Sequence, residues 1–176
     1  MTKFVAFLRG INVGGHRKLP MADLRRICSG VTGDPDVKSY IASGNLLFNA
    51  DGRAEDIAVA LAAGIRDDFG FDVRVLVLDE QTLRAALASC PFPIDSGKAV
   101  HGFFCFDDPV LDTAMIGLLK SQNEDVRTAG RVVWLFAPDG IGRSRLAGKM
   151  DKVIGGTDMT GRNLNTIAKM VDMLDA

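Results

Sequence analysis

The sequence predicts an α+β fold, and three observations predict it. Four runs rich in β-formers occur in the first half of the chain. Two stretches with apolar residues at helical spacing lie between them. A proline-bearing break at Cys90-Pro91-Phe92-Pro93 is followed by the same opening order of elements.

Taken in order, Phe4 to Leu8 is a compact apolar run and reads as a buried strand. A glycine-rich loop, Arg9 to Leu19, follows. Pro20 then stands where a helix can begin, with Leu24, Ile27 and Cys28 on one face and a stop expected at Gly30 or Gly33. Val37 to Ala42 and Asn45 to Asn49, separated by Ser43-Gly44, predict a hairpin. Ile57, Leu61, Ile65 and Phe69 recur at four-residue steps, so Ala54 to Phe69 is expected to be an amphipathic helix. Val73 to Leu78 completes the order βαββαβ as a strand. That order is the ferredoxin-like arrangement of four antiparallel strands carrying two helices.

A helix over Glu80 to about Ser89 ends at the two prolines, which place a domain boundary there, dividing 1–90 from 91–176. Beyond it, Ala99 to Phe106 reads as a strand and Pro109 to Leu119 as a helix. Val126 to Thr128 and Arg131 to Phe136 form a hairpin about Ala129-Gly130, and further helices are expected over Ser144 to Val153 and Leu164 to Leu174. The second half therefore begins βαββα, and the chain is expected to be a tandem of two ferredoxin-like α/β plaits with a C-terminal helix.

Composition narrows the functional classes. With 176 residues, 47% hydrophobic and 24% charged, the chain can bury a core without disulfides. A net charge of −1 gives no global signal for nucleic acid or membrane. Cys28, Cys90 and Cys105 are odd in number and widely spaced, fitting neither a disulfide framework nor a zinc site. The opening apolar run is too short for a signal peptide's core and no run is long enough to span a bilayer, so a cytoplasmic protein is expected. No metal or cofactor is indicated, and oligomeric state cannot be read.

Four loops could carry chemistry, and each has a plain structural alternative. Arg9-Gly10-Ile11-Asn12-Val13-Gly14-Gly15-His16-Arg17-Lys18 offers glycine amides for an anion-cradling nest beside three cations, or is simply a long turn. It lacks the Lys-Ser/Thr end of a phosphate loop and the dinucleotide fingerprint. Pro138 to Arg145 runs a glycine turn toward an expected helix start, with Arg143, Ser144 and Arg145 suited to phosphate or carboxylate, or it only caps that helix. Thr160 to Thr166 brings Arg162, Asn163 and Asn165 as candidate ligand groups, or Thr160, Asn163 or Asn165 simply caps the last helix. Ser43-Gly44-Asn45 is the fourth, or an ordinary hairpin turn.

Charge favours the first reading. Residues 1–26 hold six Lys/Arg against one acid and residues 139–169 six against three, so convergence of these loops would make a basic pocket in a neutral protein.

Together LRGINVGG (8–15), LPMADLR (19–25), YIASGNLLF (40–48) and GIGRSRL (140–146) resemble the DUF1697 family of bacterial proteins over nearly the whole chain. The family's late T-x-R-N-W-N-T segment reads here Thr160 to Thr166 with Leu164 in place of tryptophan. The resemblance implies the tandem plait fold and no particular activity.

The expected ligand set is Arg9, Asn12, Gly14, Gly15, Lys18, Ser43, Asn45, Arg143, Ser144, Arg162, Asn163 and Asn165. They would bind an anionic small molecule or short nucleic acid. A transferase or hydrolase using the same anion site is the alternative, with Asp107, Asp139 and His16 as the nearest bases. A structural or interaction module is the third reading.

Overall fold

A continuous apolar run on a central strand positions the first sheet. The structure, a computed structural model, describes residues 1–176. Strand β1 (Thr2–Leu8) pairs antiparallel with β3 (Asn45–Ala50) on one side and β4 (Val75–Asp79) on the other. With β2 (Lys38–Ser39) the sheet order is β2-β3-β1-β4. Phe4, Ala6 and Leu8 join Leu46, Phe48 and Val77 in a core completed by helices α1 (Met21–Thr32) and α2 (Ala54–Phe69). Val5 and Phe7, on the opposite face, are fully buried as well, which is why β1 reads as a continuous apolar run rather than an alternating one.

Helix α2 has the expected bounds, and α1 passes through Gly30 to stop at Gly33, whose left-handed backbone returns its N–H to the Ser29 carbonyl. The strand expected over Val37 to Ala42 contracts to two residues. Tyr40 N–H donates to the Asn45 carbonyl, Asn45 Nδ2 donates back to the Tyr40 carbonyl, and Ile41 is left-handed, so the chain turns before the strand can lengthen.

Asp34 fastens this unit from beneath. It is buried, and its carboxylate accepts from Asp36 N–H (2.8 Å), Asn49 N–H (2.6 Å) and Asn49 Nδ2 (3.2 Å). Burial alone would push the carboxyl pKa up, but these donors outweigh it and hold it below the ordinary aspartate value. The stabilisation is therefore present above the unfolded-state value of about 3.9 and disappears as pH falls through the lower folded value. Asp34→Ala is expected to cost about 1–3 kcal/mol at pH 7, because two backbone donors lose their acceptor. The deficit relative to the parent should shrink below pH 4 in urea titrations, and an undiminished deficit there would refute the assignment.

The chain separates into two units, Met1–Arg84 with Met170–Ala176, and Ala85–Lys169. The C-terminal tail is held to the first unit by Lys3 Nζ on the Leu174 carbonyl (2.8 Å) and by Arg84 on Asp175 (2.6 Å).

The second sheet has the order β10-β5-β8-β7, from β5 (Val100–Cys105), β7 (Asp125–Ala129), β8 (Val132–Phe136) and β10 (Met159–Asn163), every pair antiparallel. Phe103, Cys105, Val133 and Leu135 face a core that includes Leu146, Met150, Met115 and Ile116. Helix α3 (Glu80–Ala88) precedes the proline connector, and Phe92 from that connector stacks on Phe136 at 5.3 Å.

Here the expected βαββα order needs correction. Strand β10 lies where a loop was expected, since the Gly-Arg-Asn that follows Thr160 carries no β-former signal; Gly161 and Arg162 nonetheless pair with Phe103 and Gly102. Helix α4 is Thr113–Leu119, capped by Asp112, because Val110–Leu111 instead forms β6 against β9 (Ile154–Gly155). The continuous helix over Ser144 to Val153 is absent. Two 3-10 turns, Ile141–Arg143 and Ala147–Lys149, lead into a four-residue α5 (Met150–Val153). Glycines at 142 and 148 weaken helix propagation, and the Ser144 hydroxyl takes the Ala147 N–H in place of a carbonyl. Helix α6 (Leu164–Leu174) closes the chain.

Candidate functional site

In the first unit the loop after β1 is a small hairpin held by one side chain. Val13 accepts from His16 N–H (3.0 Å), and Asn12 N–H donates to Arg17 (3.1 Å). Gly14 and Gly15, at φ 59 and 77, are the two central residues of the resulting tight turn, the geometry that favours glycine at both places. Asn12 is itself left-handed. Its Nδ2 donates to the Leu19 (2.9 Å) and Ala42 (2.8 Å) carbonyls, while its Oδ1 accepts from Leu19 N–H (2.8 Å). The Asn12 amide thus builds the loop and ties it to the 40–45 turn. Leu8 N–H reaches the Gly44 carbonyl in the same junction (2.9 Å).

Backbone strain is concentrated here. Asn12, Arg17 and Ile41 are the only non-glycine residues of the chain with positive φ, and all three belong to these two adjoining loops. Ile41 is β-branched, for which this region is least favourable. Buried Ile11 and Leu19 anchor the base, whereas residues 13–18 are exposed. The Gly14 and Gly15 N–H groups donate to no protein acceptor, and Arg17 and Lys18 stand without an ion-pair partner. Arg9 sits at the root, its N–H on the Arg74 carbonyl (3.0 Å). Asn45, fully buried, and Ser43 are bonded to each other at 3.0 Å inside the turn.

In the second unit Arg143 and Ser144 open onto a cleft of about 320 Å³ whose polar lining also includes Lys120, Glu124, Asp139 and Arg145. The expected helix N-terminus is replaced by a 3-10 turn, so the cations rather than a row of helix amides give the wall its character. Glu124 is buried. Desolvation would raise its pKa, but the Ser121 N–H (2.9 Å) and the Ser144 hydroxyl outweigh that and keep it below the usual glutamate value, hence charged. Ser144 therefore positions the 141–147 segment against Glu124.

The β10–α6 junction uses its polar groups differently. Asn163 Oδ1 accepts from Thr166 N–H (2.8 Å), capping α6, and Asn165 lies flush against Gly97. Arg162 is nine-tenths buried with Nη1 on Thr160 Oγ1 (2.7 Å) and the Gly161 carbonyl (2.8 Å); burial pushes its pKa down to about 10, so it stays charged at neutral pH. None of these three lines the Arg143 cleft. Lys120, Ser121 and Glu124 were not anticipated. The S-x-x-E spacing of Ser121 to Glu124 is a capping-box signal that could have flagged the turn, although a strand rather than a helix follows it.

Of the proposed bases, Asp139 accepts from Asn123 (2.6 Å), Asp107 is exposed, and His16 lies in the hairpin loop. No group of three His, Cys or carboxylate side chains is arranged to hold a metal, and no helix is long and apolar enough to cross a membrane.

Residues 1–134 match the family described as "Protein of unknown function (DUF1697)". The chain belongs to this family. The matched residues include the strained loop pair and the Lys120–Glu124 side of the cleft, while Arg143 and Arg162 fall beyond them. Among solved structures, the conserved bacterial protein SP0830 from Streptococcus pneumoniae is similar, at 26% identity and a TM-score of 0.73, with 98% of each chain covered. None of the curated proteins matches.

Proposed function

We propose that this chain binds an anionic ligand, a nucleotide, phosphorylated metabolite or short nucleic acid, on the loop pair 9–18 and 40–45. The observation that carries the reading is the gathering of all three left-handed non-glycine residues into these loops. Each such residue costs on the order of 1–3 kcal/mol and persists only where surrounding structure enforces it, as it does at binding sites. Two open glycine amides, Arg17, Lys18 and the root residue Arg9 supply the charge and donors. Asn12, Ser43 and Asn45 hold the frame. In the second unit the same reading extends to Arg143 beside Ser144, and to Arg162 as a buried cation flanked by Asn163 and Asn165.

The two sheets share one strand order, β4-β1-β3-β2 matching β10-β5-β8-β7, which supports reading each unit as a ferredoxin-like plait. Three unpaired cysteines favour the cytoplasm.

A thermal-shift screen of nucleotides, sugar phosphates and short oligonucleotides tests the proposal, since a ligand selective for the folded chain raises its melting temperature. The Arg17→Gln/Lys18→Gln double variant is expected to weaken the best hit by about tenfold or more. For an oligonucleotide, affinity should also fall steeply with salt. Undiminished binding in the double variant would remove the loop pair from the site.

A further inference from the structure

The cleft in the second unit, where the proposed anion binding extends to Arg143 and Ser144, has a charge pattern that a simple anion does not account for. Three cations, Lys120, Arg143 and Arg145, line it, and none of them is engaged in an ion pair with the protein. Two carboxylates face the same space, and they are not equivalent. Glu124 is buried and already served by Ser121 N–H and the Ser144 hydroxyl. Asp139 is exposed, with Oδ2 accepting from Asn123 Nδ2 at 2.6 Å and its other oxygen without a donor.

A simple anion is drawn by the cations and repelled by Asp139. A ligand that brings an anionic group to the arginines and a hydroxyl to Asp139 satisfies both, because a carboxylate can only accept. Size restricts the choice: about 320 Å³ lies at the lower end of small-molecule sites, which run from about 300 to 1,000 Å³. A dinucleotide is too large for it, and a bare phosphate leaves Asp139 and most of the volume unused.

We infer that this cleft binds a small phosphorylated polyol, of the size of a pentose monophosphate, with its phosphate on Lys120, Arg143 and Arg145 and a hydroxyl on Asp139. The phosphate takes bidentate contacts from the guanidinium groups and a point charge from Lys120. Glu124, through Ser144, keeps the Ile141–Arg145 segment turned toward the cleft, so it acts as a positioning residue. The site is distinct from the loop pair and shares with it only the class of anion.

The test is isothermal titration of the full chain with ribose 5-phosphate, and separately with ribose and with inorganic phosphate. Ribose 5-phosphate is expected to bind one to one and at least about tenfold more tightly than inorganic phosphate, as one further well-made polar contact implies. Arg143→Gln/Arg145→Gln should weaken it by about tenfold or more. Asp139→Asn, an exposed change, should tighten inorganic phosphate while narrowing the advantage of ribose 5-phosphate over it, a pattern that loss of folding cannot produce. Lys98→Gln/Lys152→Gln, which removes two exposed cations of the same unit that lie outside the cleft, should leave this titration unchanged, so that a loss in the arginine variant is not an effect of net charge alone. Absence of saturable binding, equal affinity for inorganic phosphate and ribose 5-phosphate, or indifference to the double arginine variant would each overturn it.

Discussion

Gly44→Ala is expected to destabilise the first unit by about 3 kcal/mol, combining a left-handed backbone penalty with overpacking. Gly44 has φ 89, and a Cβ built there meets Leu8 Cβ and Ile11 Cδ1, each at 2.8 Å. The Ile11 tip can swing aside. Leu8 Cβ cannot, because it is fixed to β1, whose Leu8 N–H is bonded to the Gly44 carbonyl at 2.9 Å. For a chain of this length the loss corresponds to a fall in melting temperature of roughly 10 °C. Gly52→Ala provides the control, since Gly52 is also left-handed at φ 108 yet has nothing within 4 Å of its missing Cβ. It should show only the backbone part. Equal losses in the two variants, read by circular dichroism, would mean that the close approach of the 40–45 turn to β1 is not maintained in solution. Because the same contact seats the strained loop pair, Gly44→Ala is also expected to weaken the ligand binding proposed for that pair.

Trp134→Ala is expected to cost about 3–5 kcal/mol, the range for removing a large aromatic from a core. Trp134 is the sole tryptophan and is fully buried in β8, opposite Gly102. Gly102 makes room for it: a Cβ there would come within 3.0 Å of the indole and 3.1 Å of Ile167 on α6. The indole N–H, however, finds no hydrogen-bond acceptor in the protein. Trp134→Phe therefore discards an unsatisfied buried donor together with part of the ring, and should cost less than half as much as the alanine change. Urea midpoints of the two variants decide the matter. A phenylalanine variant as unstable as the alanine one would show that the indole N–H contributes a favourable interaction.

Local signals carried much of the architecture. The four-residue spacing of Ile57, Leu61 and Ile65 set both ends of α2, and the apolar run from Phe4 marked the strand at the centre of the first sheet. Strand β10 escaped because its two buried positions, Thr160 and Arg162, are polar and leave no trace in hydropathy. The Ser144 to Val153 segment misled for a related reason. Its apolar residues do reach the core, but Ser144 spends its hydroxyl on Glu124 and Ala147, and the helix breaks into 3-10 turns.

The candidate sites divide in the same way. Glycine, arginine and asparagine in Arg9 to Lys18 identified an unusual loop from residues alone, because the need for positive φ is a property of the local chain. That the Asn12 amide bonds the Leu19 and Ala42 carbonyls depended on where those residues arrive. Lys120, Asp139 and Arg143 share a cleft only after the segments that carry them have been folded beside one another, and no spacing along the chain encodes that meeting. Sequence determined the family, the helical and extended periods, and the strained turn, since each is written in neighbouring residues. Tertiary structure decided which polar groups are consumed by the fold and which remain open to a ligand, because hydrogen-bond partners and uncompensated charge are set by residues distant in the chain.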